Sequence, residues 1–337
     1  MDVSLTDEQR MLVASVRRLA EDAASSAVDI APGQLVATDG KAWRHVVDMD
    51  LPGLRSRSTE GSKPTGTVEA VLAVEVLARS LTRVPLIGTL LATDLLMELP
   101  ASPELDAVLA KGRSATVVVS DDLVGLAVSG LAWACADGCL VVAVDVDQLL
   151  LAELGEPVPA ADLTRQVATA AAGPGAHRMG WLGEAALIRW RALALALVSA
   201  DIVGTLTGAL ATAVDHVKTR EQFGQPVGGF QAVQQIAAEQ HVLVEAARSA
   251  VWHAGWAVDE LAPGDALTAA MTAKAFCSEI ARDVAEATIQ MWGGLGMTWE
   301  CPAHLFLRRA LLDRQLLGDE GSQLDAIADA RLGPAQR

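Results

Sequence analysis

The sequence lacks the basic surface expected of a nucleic-acid-binding protein. Its 26 Lys and Arg residues are outnumbered by 42 Asp and Glu residues, which gives a formal net charge of −16 at pH 7. A nucleic-acid partner is not expected, because few cations are available to displace phosphate counterions. An acidic balance by itself mainly favours solubility.

Cysteine is scarce, and the motifs of several enzyme classes are absent. The four cysteines form no CxxC pair, and no histidine stands at zinc-ligand spacing from them. This pattern predicts reduced thiols in a cytoplasmic protein and no metal site. The sequence contains no HExxH, Walker loop or GxSxG motif, and its six histidines form no local cluster. Nothing therefore favours a metalloprotease, a P-loop NTPase or a serine hydrolase.

Targeting and membrane segments are not expected either. The N-terminus, MDVSLTDEQRML, has no basic segment followed by an apolar run, so it does not resemble a signal peptide. The most apolar stretch, ALALALVSADIVGTL, is interrupted by Asp201 and preceded by Arg189 and Arg191. It is expected to be too short between charges to span a bilayer.

What the sequence does contain is a helical first region, taken as residues 1–112. Half of all residues are apolar, with many Ala, Leu and Val, which favours a mostly helical protein. Thr6 and Gln9 form a capping box at the start of a helix. Two apolar stretches, AVLAVEVLARSL and LIGTLLATDLLMEL, predict buried helices. The stretch RSRSTEGSKPTG before them predicts a polar loop.

The pattern changes twice along the rest of the chain. Between residues 113 and 177, short β-branched runs predict a small β domain, with a hairpin turn at Asp137-Gly138. From 178 to 337, long segments with apolar residues at helical spacing predict an antiparallel four-helix bundle.

Two motifs in the last region carry a resemblance to a known family. They are KTREQFGQPVGGFQAVQ, at residues 218–234, and IQMWGGLGMTWECPAHLFLRR, at residues 289–309. Their order and spacing resemble the acyl-CoA dehydrogenase family, in which R-x-x-F-G is followed by Gln, and then by Q-x-x-G-G-x-G and T-x-E-x-P. The resemblance implies the family's fold: an N-terminal helical domain, a middle β domain, here shortened, and a C-terminal four-helix bundle.

The same motifs predict a site for FAD. Glycines let a backbone approach a pyrophosphate closely, and an arginine can form charge-assisted hydrogen bonds with phosphate oxygens. In the family these elements bind the adenosine-diphosphate half of an FAD that is held mainly by the neighbouring subunit. The resemblance assigns eight residues to that role: Arg220, Gln222, Phe223, Phe230, Gln231, Gln290, Gly293 and Gly294.

An alignment without gaps places no glutamate at the position of the family's catalytic base. Members remove the α-proton of a CoA thioester with a Glu, while a hydride leaves the β-carbon for the flavin. Aligned without gaps from the second motif, the Glu position holds Leu317, and the alternative position on the first bundle helix holds Ala194. A three-residue insertion would bring Glu320 to the first position, with Asp319 beside it.

The middle region also lacks the T-E-P-x-x-G-S-D-like and W-I-T/S stretches that hold the flavin ring in catalytic members. The preferred interpretation is a non-catalytic subunit of an α2β2 acyl-CoA dehydrogenase, whose homologous partner binds most of the acyl-CoA. Such enzymes are known among actinobacterial dehydrogenases acting on steroid-derived CoA esters. Three alternatives stay open: a self-sufficient homotetramer using Glu320 or Asp319, a flavin-dependent monooxygenase, and a flavin-free scaffold or regulatory subunit.

Overall fold

The computed structural model describes residues 4–24, 37–56 and 66–333, with helices in the first and last regions and a sheet between them. The first region contains α1 Asp7–Ala24, α2 Gly40–Asp48, α3 Thr67–Arg79, α4 Leu86–Leu96 and α5 Pro103–Leu109. The predicted fold class, mostly helical with a small middle β domain, is confirmed. Most of the predicted polar loop, residues 57–65, lies outside the described residues.

Helix α1 begins at the predicted capping box. The backbone N–H of Gln9 donates to Thr6 Oγ1 at 3.2 Å, and the backbone N–H of Thr6 donates to Gln9 Oε1 at 3.0 Å. The two bonds satisfy N–H groups that the start of a helix leaves without intrahelical partners. Val16 and Leu19, on the apolar face of the helix, are buried in the main core.

The middle region forms a largely closed sheet. Its strands are β1 Ala115–Val119, β2 Ser129–Cys135, β3 Leu140–Asp145, β4 Gln148–Pro157, β5 Gln166–Ala171 and β6 Arg178–Trp181. They lie in the order β3-β1-β2-β5-β4-β6, and β3 also pairs with β4, so five strands close into a ring. Only β6 is left outside this ring, paired with the first residues of β4.

The predicted hairpin at Asp137-Gly138 is wrong, because the two strands that this turn joins, β2 and β3, do not pair with each other. Gly138 does adopt the positive φ of a turn residue, at 68°. However, β1 lies between the two strands that the turn joins, antiparallel to β2 and parallel to β3. The sheet also continues past residue 177, because Leu149 pairs with Gly180 of β6. The division of the chain at residues 112 and 177 stays a prediction.

The last region is a bundle of long helices. These are α6 Glu184–Thr219, α7 Gln231–Glu260, α8 Pro263–Trp292, α9 Ala303–Gln315 and α10 Glu320–Leu332. Helix α6 packs along α8, and α7 packs against both. Helix α9 contacts α6 and α8, and α10 covers α8. From the first region, α3 packs on α6, and all eleven residues of α4 are buried between the sheet and the bundle.

Helix α6 is the one helix in the described part of the chain that is long and apolar enough to cross a membrane. The expectation that charges cut this stretch short is wrong, because the helix runs through Asp201 without a break. Burial supplies the argument against a membrane span instead, since 94% of the most apolar window lies inside the protein. This is the pattern of a core helix.

Candidate functional site

The first motif forms a short hairpin directly after α6. Its strands are β7 Glu221–Gln222 and β8 Gln225–Pro226. Phe223 and Gly224 make the tip, with φ values of 53° and 79°. The side chain of Phe223 is 93% exposed, which is unusual for a phenylalanine and points to a surface that has a function.

The backbone of Arg220 is fixed at the base of this hairpin. Its N–H donates to the carbonyl of His216 at 2.9 Å and so ends α6. Its own carbonyl accepts from the N–H of Val227 at 2.7 Å and closes the hairpin. The exposed guanidinium of Arg220 therefore projects from a backbone held on both sides.

The second motif ends α8 in a glycine turn. Gly293 has φ 63° and ψ −143°, a conformation that side chains other than glycine rarely adopt. A Cβ built on Gly296 would lie 2.6 Å from the carbonyl oxygen of Ile289, so only glycine fits there. A Cβ on Gly293 or Gly294 would meet nothing within 4 Å. The backbone at these two residues faces open space.

The two motifs meet at a surface cleft of about 620 Å³. Apolar side chains of α7 and of the turn after α8 contribute to its walls. Five of the predicted cofactor residues line it: Arg220, Gln222, Gln290, Gly293 and Gly294. Arg220 and Gln290 thus line the same cleft although they are 70 positions apart in the sequence.

The other three predicted residues lie on the adjoining surface. The rings of Phe223 and Phe230 contact edge to face, with centroids 6.2 Å apart. Gln231 is the exposed first residue of α7. None of the three is among the residues that line the cleft, so any contact they make with a ligand would be at its edge.

Two aromatic residues of the cleft are not among the eight residues assigned from the motifs. Trp292, in the second motif, is only partly buried and lines the cleft. His216, which the motif did not single out, stacks on Trp292 with ring centroids 4.2 Å apart and an interplanar angle of 22°. Its position one helical turn before Arg220 was the signal that could have found it.

The residues of the cleft fit an anionic dinucleotide. Arg220 offers a planar set of donors suited to phosphate oxygens. The glycine turn leaves room for close backbone approach. The indole Nε1 of Trp292 is buried and has no hydrogen-bond acceptor among the described residues, so a donor is left unused at the cleft wall.

The positions aligned with the family's base are buried in apolar surroundings. Ala194 is fully buried in α6, and Leu317 is 3% exposed. Leu317 has a positive φ of 62°, and its N–H donates to the carbonyl of Leu123 in the β1–β2 loop at 2.7 Å. This contact ties the β1–β2 loop to the segment between α9 and α10.

The carboxylates near Leu317 are already engaged. Asp319 caps α10, because its Oδ1 accepts from the Ser322 N–H at 3.0 Å. Glu320 accepts from Arg314 Nε at 2.9 Å and from a second guanidinium nitrogen of Arg314. Hydrogen bonds from Ser322 lower the pKa of Asp319, and the hydrogen bond from Arg314 lowers the pKa of Glu320.

A group of buried charges closes the junction between the sheet and the bundle. Arg165, just before β5, donates to Asp313 of α9 at 2.7 Å and also to Asp201 of α6. Arg309 donates to both oxygens of Asp201, at 2.8 and 3.1 Å. Arg165 also lies over the ring of Trp133 in β2, 4.8 Å from its centroid. We call these five residues the junction cluster.

The two carboxylates of the junction cluster have pKa values shifted in opposite directions. Burial disfavours the charge of Asp201, but Arg165 and Arg309 outweigh this and hold its pKa below the usual range. Burial, together with the negative charge of Asp201, raises the pKa of Asp313 well above its usual value. Oδ2 of Asp313 has no donor among the described residues, which suits a carboxyl that keeps its proton at that atom.

The described residues of this junction enclose small cavities. Two cavities there, both touching Arg165, measure about 10 Å³ each. A cavity of this size holds at most about one water molecule.

Comparisons with known proteins agree with the two motifs. The family model for the C-terminal domain of acyl-CoA dehydrogenases matches residues 192–332. The acyl-CoA dehydrogenase IpdE2 of Mycobacterium tuberculosis is 30% identical over 320 residues, which are 92% of this chain and 93% of the relative. IpdE2 of Mycolicibacterium smegmatis is 29% identical over 329 residues, covering 95% and 97%.

Two solved structures share the fold over nearly the whole chain. The steroid ACAD Tcur3481-Tcur3483, in its G363A variant, superposes with a TM-score of 0.78 at 24% identity, covering 96% of this chain and 97% of the other. The ChsE4-ChsE5 complex from Mycobacterium tuberculosis superposes with a TM-score of 0.79 at 21% identity, covering 99% and 100%. Taken with the near-full-length relatives, these comparisons show that the chain belongs to the acyl-CoA dehydrogenase family of FAD-dependent oxidoreductases.

Proposed function

We propose that the chain is a subunit of a heteromeric acyl-CoA dehydrogenase, without a base of its own, that completes the adenosine-diphosphate half of a partner's FAD site. The homologous partner supplies the glutamate, the pocket for the flavin ring and most of the acyl-CoA site. One contrast carries the proposal. Among the described residues, the two cavities that Arg165 lines at the junction between sheet and bundle measure about 10 Å³ each, whereas the surface cleft measures about 620 Å³.

The cleft residues have the chemistry that half a dinucleotide site needs. Arg220 donates to pyrophosphate oxygens, and the open backbone at Gly293 and Gly294 lets the phosphates approach. The amides of Gln222 and Gln290 can donate to or accept from the adenosine and ribose groups. Bound FAD supplies hydride acceptance to the reaction, and the chain contributes binding and orientation.

The side chains at the aligned positions support the proposal that the chain has no base of its own. Leu317 and Ala194 are hydrocarbons and cannot accept a proton. Glu320, the fallback candidate, is held by Arg314 with a lowered pKa. A general base works best with a pKa near the operating pH, and a positioned base contributes about 10²–10⁴-fold. The ion pair with Arg314 lowers the pKa of Glu320 and so moves it away from the operating pH.

Exposed apolar side chains around the cleft support a partner subunit. Phe223 is 93% exposed, Met297 82% and Leu295 44%, and all three belong to the two motifs. Large exposed apolar side chains concentrated in two motifs that meet at one cleft favour a protein interface there. The names Tcur3481-Tcur3483 and ChsE4-ChsE5 each join two components, and the first is described as a steroid ACAD. We therefore favour an α2β2 assembly acting on a steroid-derived CoA ester.

The test is the flavin content of co-purified complexes. The chain is co-expressed with the acyl-CoA dehydrogenase encoded nearest to it, as wild type, as Arg220→Ala and as Arg178→Ala. Arg178 is an exposed arginine on β6 and serves as the matched control. We expect Arg220→Ala to lower FAD content by on the order of tenfold or more, since a charge-assisted contact contributes about 1.5–3 kcal/mol.

Two results would contradict the proposal. Unchanged flavin content in the Arg220→Ala complex would favour a flavin-free scaffold subunit. FAD-dependent turnover by the purified chain alone would favour a self-sufficient enzyme and would return attention to Glu320.

A further inference from the structure

The stacked pair of His216 and Trp292 has no part in the motif-based assignment, yet both residues line the same cleft as Arg220 and Gln290. The indole covers one face of the imidazole at 4.2 Å. The ring nitrogens lie in the plane of the imidazole, so stacking leaves its edge available. Among the described residues, the hydrogen bonds of His216 involve its backbone carbonyl and not its ring.

We propose that His216 is a further recognition residue of this cleft, which contacts the pyrophosphate of the dinucleotide and takes up one proton when that ligand binds. The inference rests on the proposed function, because it needs the adenosine-diphosphate half of FAD in the cleft. It adds a pH-dependent contact to a site otherwise built from arginine, amides and glycine backbone.

The surroundings of His216 contain few other charges. Burial and the positive charge of Arg220 lower the pKa of the imidazole, which is therefore neutral at pH 7 without ligand. Asp215 and Lys218, its neighbours on α6, are exposed and pair with each other at 3.4 Å. The helix and turn that face it contribute residues such as Ile236 of α7, together with Trp292, and neither of these titrates.

A bound pyrophosphate would change that balance. Its negative charges offset Arg220 and favour the imidazolium, so the pKa of His216 rises on binding. By linkage, affinity increases as the pH falls from the pKa of the complex towards the lower pKa of the free protein. One proton allows an increase of at most about tenfold per pH unit.

The experiment is calorimetric titration of FAD into the flavin-depleted complex of this chain with its partner subunit at pH 8, 7 and 6. The pyrophosphate diester of FAD does not titrate in this range. FMN, which lacks the adenosine monophosphate part of FAD and therefore has no pyrophosphate, is the ligand control. His216→Phe keeps an aromatic ring on Trp292 but removes the titrating group. His241→Gln changes a histidine whose side chain is 66% exposed on α7 and is the protein control.

We expect FAD affinity to rise several-fold, and at most about tenfold per unit, from pH 8 to pH 6 in the wild type and His241→Gln. Proton uptake should appear as a dependence of the binding enthalpy on the buffer. His216→Phe should show neither effect. If FAD binding by His216→Phe depends on Arg220 and has the same pH profile as binding by the wild type, the inference is overturned and the proposed function stands. No FAD binding at any pH, or equal binding of FMN, would overturn both.

Discussion

The junction cluster allows a sharp prediction, because Arg165 and Asp313 should respond very differently to substitution. Arg165→Met keeps much of the length of the side chain but removes the cation that contacts both Asp201 and Asp313. Asp201 would then depend on Arg309 alone. Breaking a buried charge group by removing one partner typically costs about 3–5 kcal/mol. We expect the free energy of unfolding of Arg165→Met to fall by about that amount.

Asp313→Asn should cost far less. Burial and the charge of Asp201 raise the pKa of Asp313, so folding favours its protonated form. An amide of nearly the same shape can still accept from Arg165 and donate to Asp201. We expect a loss within about 1 kcal/mol, the net value of a typical hydrogen bond. Urea unfolding at pH 6, followed by circular dichroism, measures both variants.

The two carboxylates of the junction cluster, Asp313 and Asp201, predict how stability depends on pH. A raised folded pKa means that the contribution of Asp313 is fully present below its unfolded pKa of about 4 and is lost as the pH rises through the folded value. Asp201 has a lowered pKa, so its contribution is present above about 4 and is lost as the pH falls through its folded value. Asp313→Asn should remove the pH dependence of stability that comes from Asp313 and leave the one that comes from Asp201. Equal losses of unfolding free energy in Arg165→Met and Asp313→Asn would refute the reasoning that Asp313 is protonated in the folded protein.

Two further substitutions test the proposal that the partner supplies the catalytic base and this chain supplies part of the FAD site. Leu317→Glu puts a carboxylate at the aligned base position, but the side chain there is only 3% exposed and has apolar surroundings, so we expect loss of stability and no gain in dehydrogenase turnover of the complex. A clear gain in turnover would show that only the base was missing. Gly293→Ala has space for the new methyl group but must keep φ at 63°, so we expect a cost of about 1–3 kcal/mol and a lower FAD content of the complex, measured by flavin absorbance.

Local sequence signals predicted the elements that depend on local chemistry. The capping box at Thr6 is confirmed by its two hydrogen bonds, and the all-round apolar sequence of α4 corresponds to complete burial. The turn at Gly138 also forms. The pairing across that turn failed, because the strand that lies beside β2 is chosen by packing over the whole sheet and not by the turn.

Long-range chemistry was not visible in the sequence. Arg165 and Asp313 are 148 positions apart, and no local pattern links them. Asp201 was interpreted only as a charge that interrupts an apolar stretch, whereas it is the anion of a buried cluster. The motifs did predict five residues that share one cleft. They could not identify His216, whose role depends on stacking against the end of another helix.

The central claim is that this chain completes a partner's FAD site and has no FAD site of its own. Flavin stoichiometry tests it most directly: FAD per chain is measured in the chain purified alone and in the complex with its partner. We expect a lone chain that purifies without flavin, and one FAD for each pair of subunits in the complex. One FAD retained per chain in the lone protein would contradict the claim.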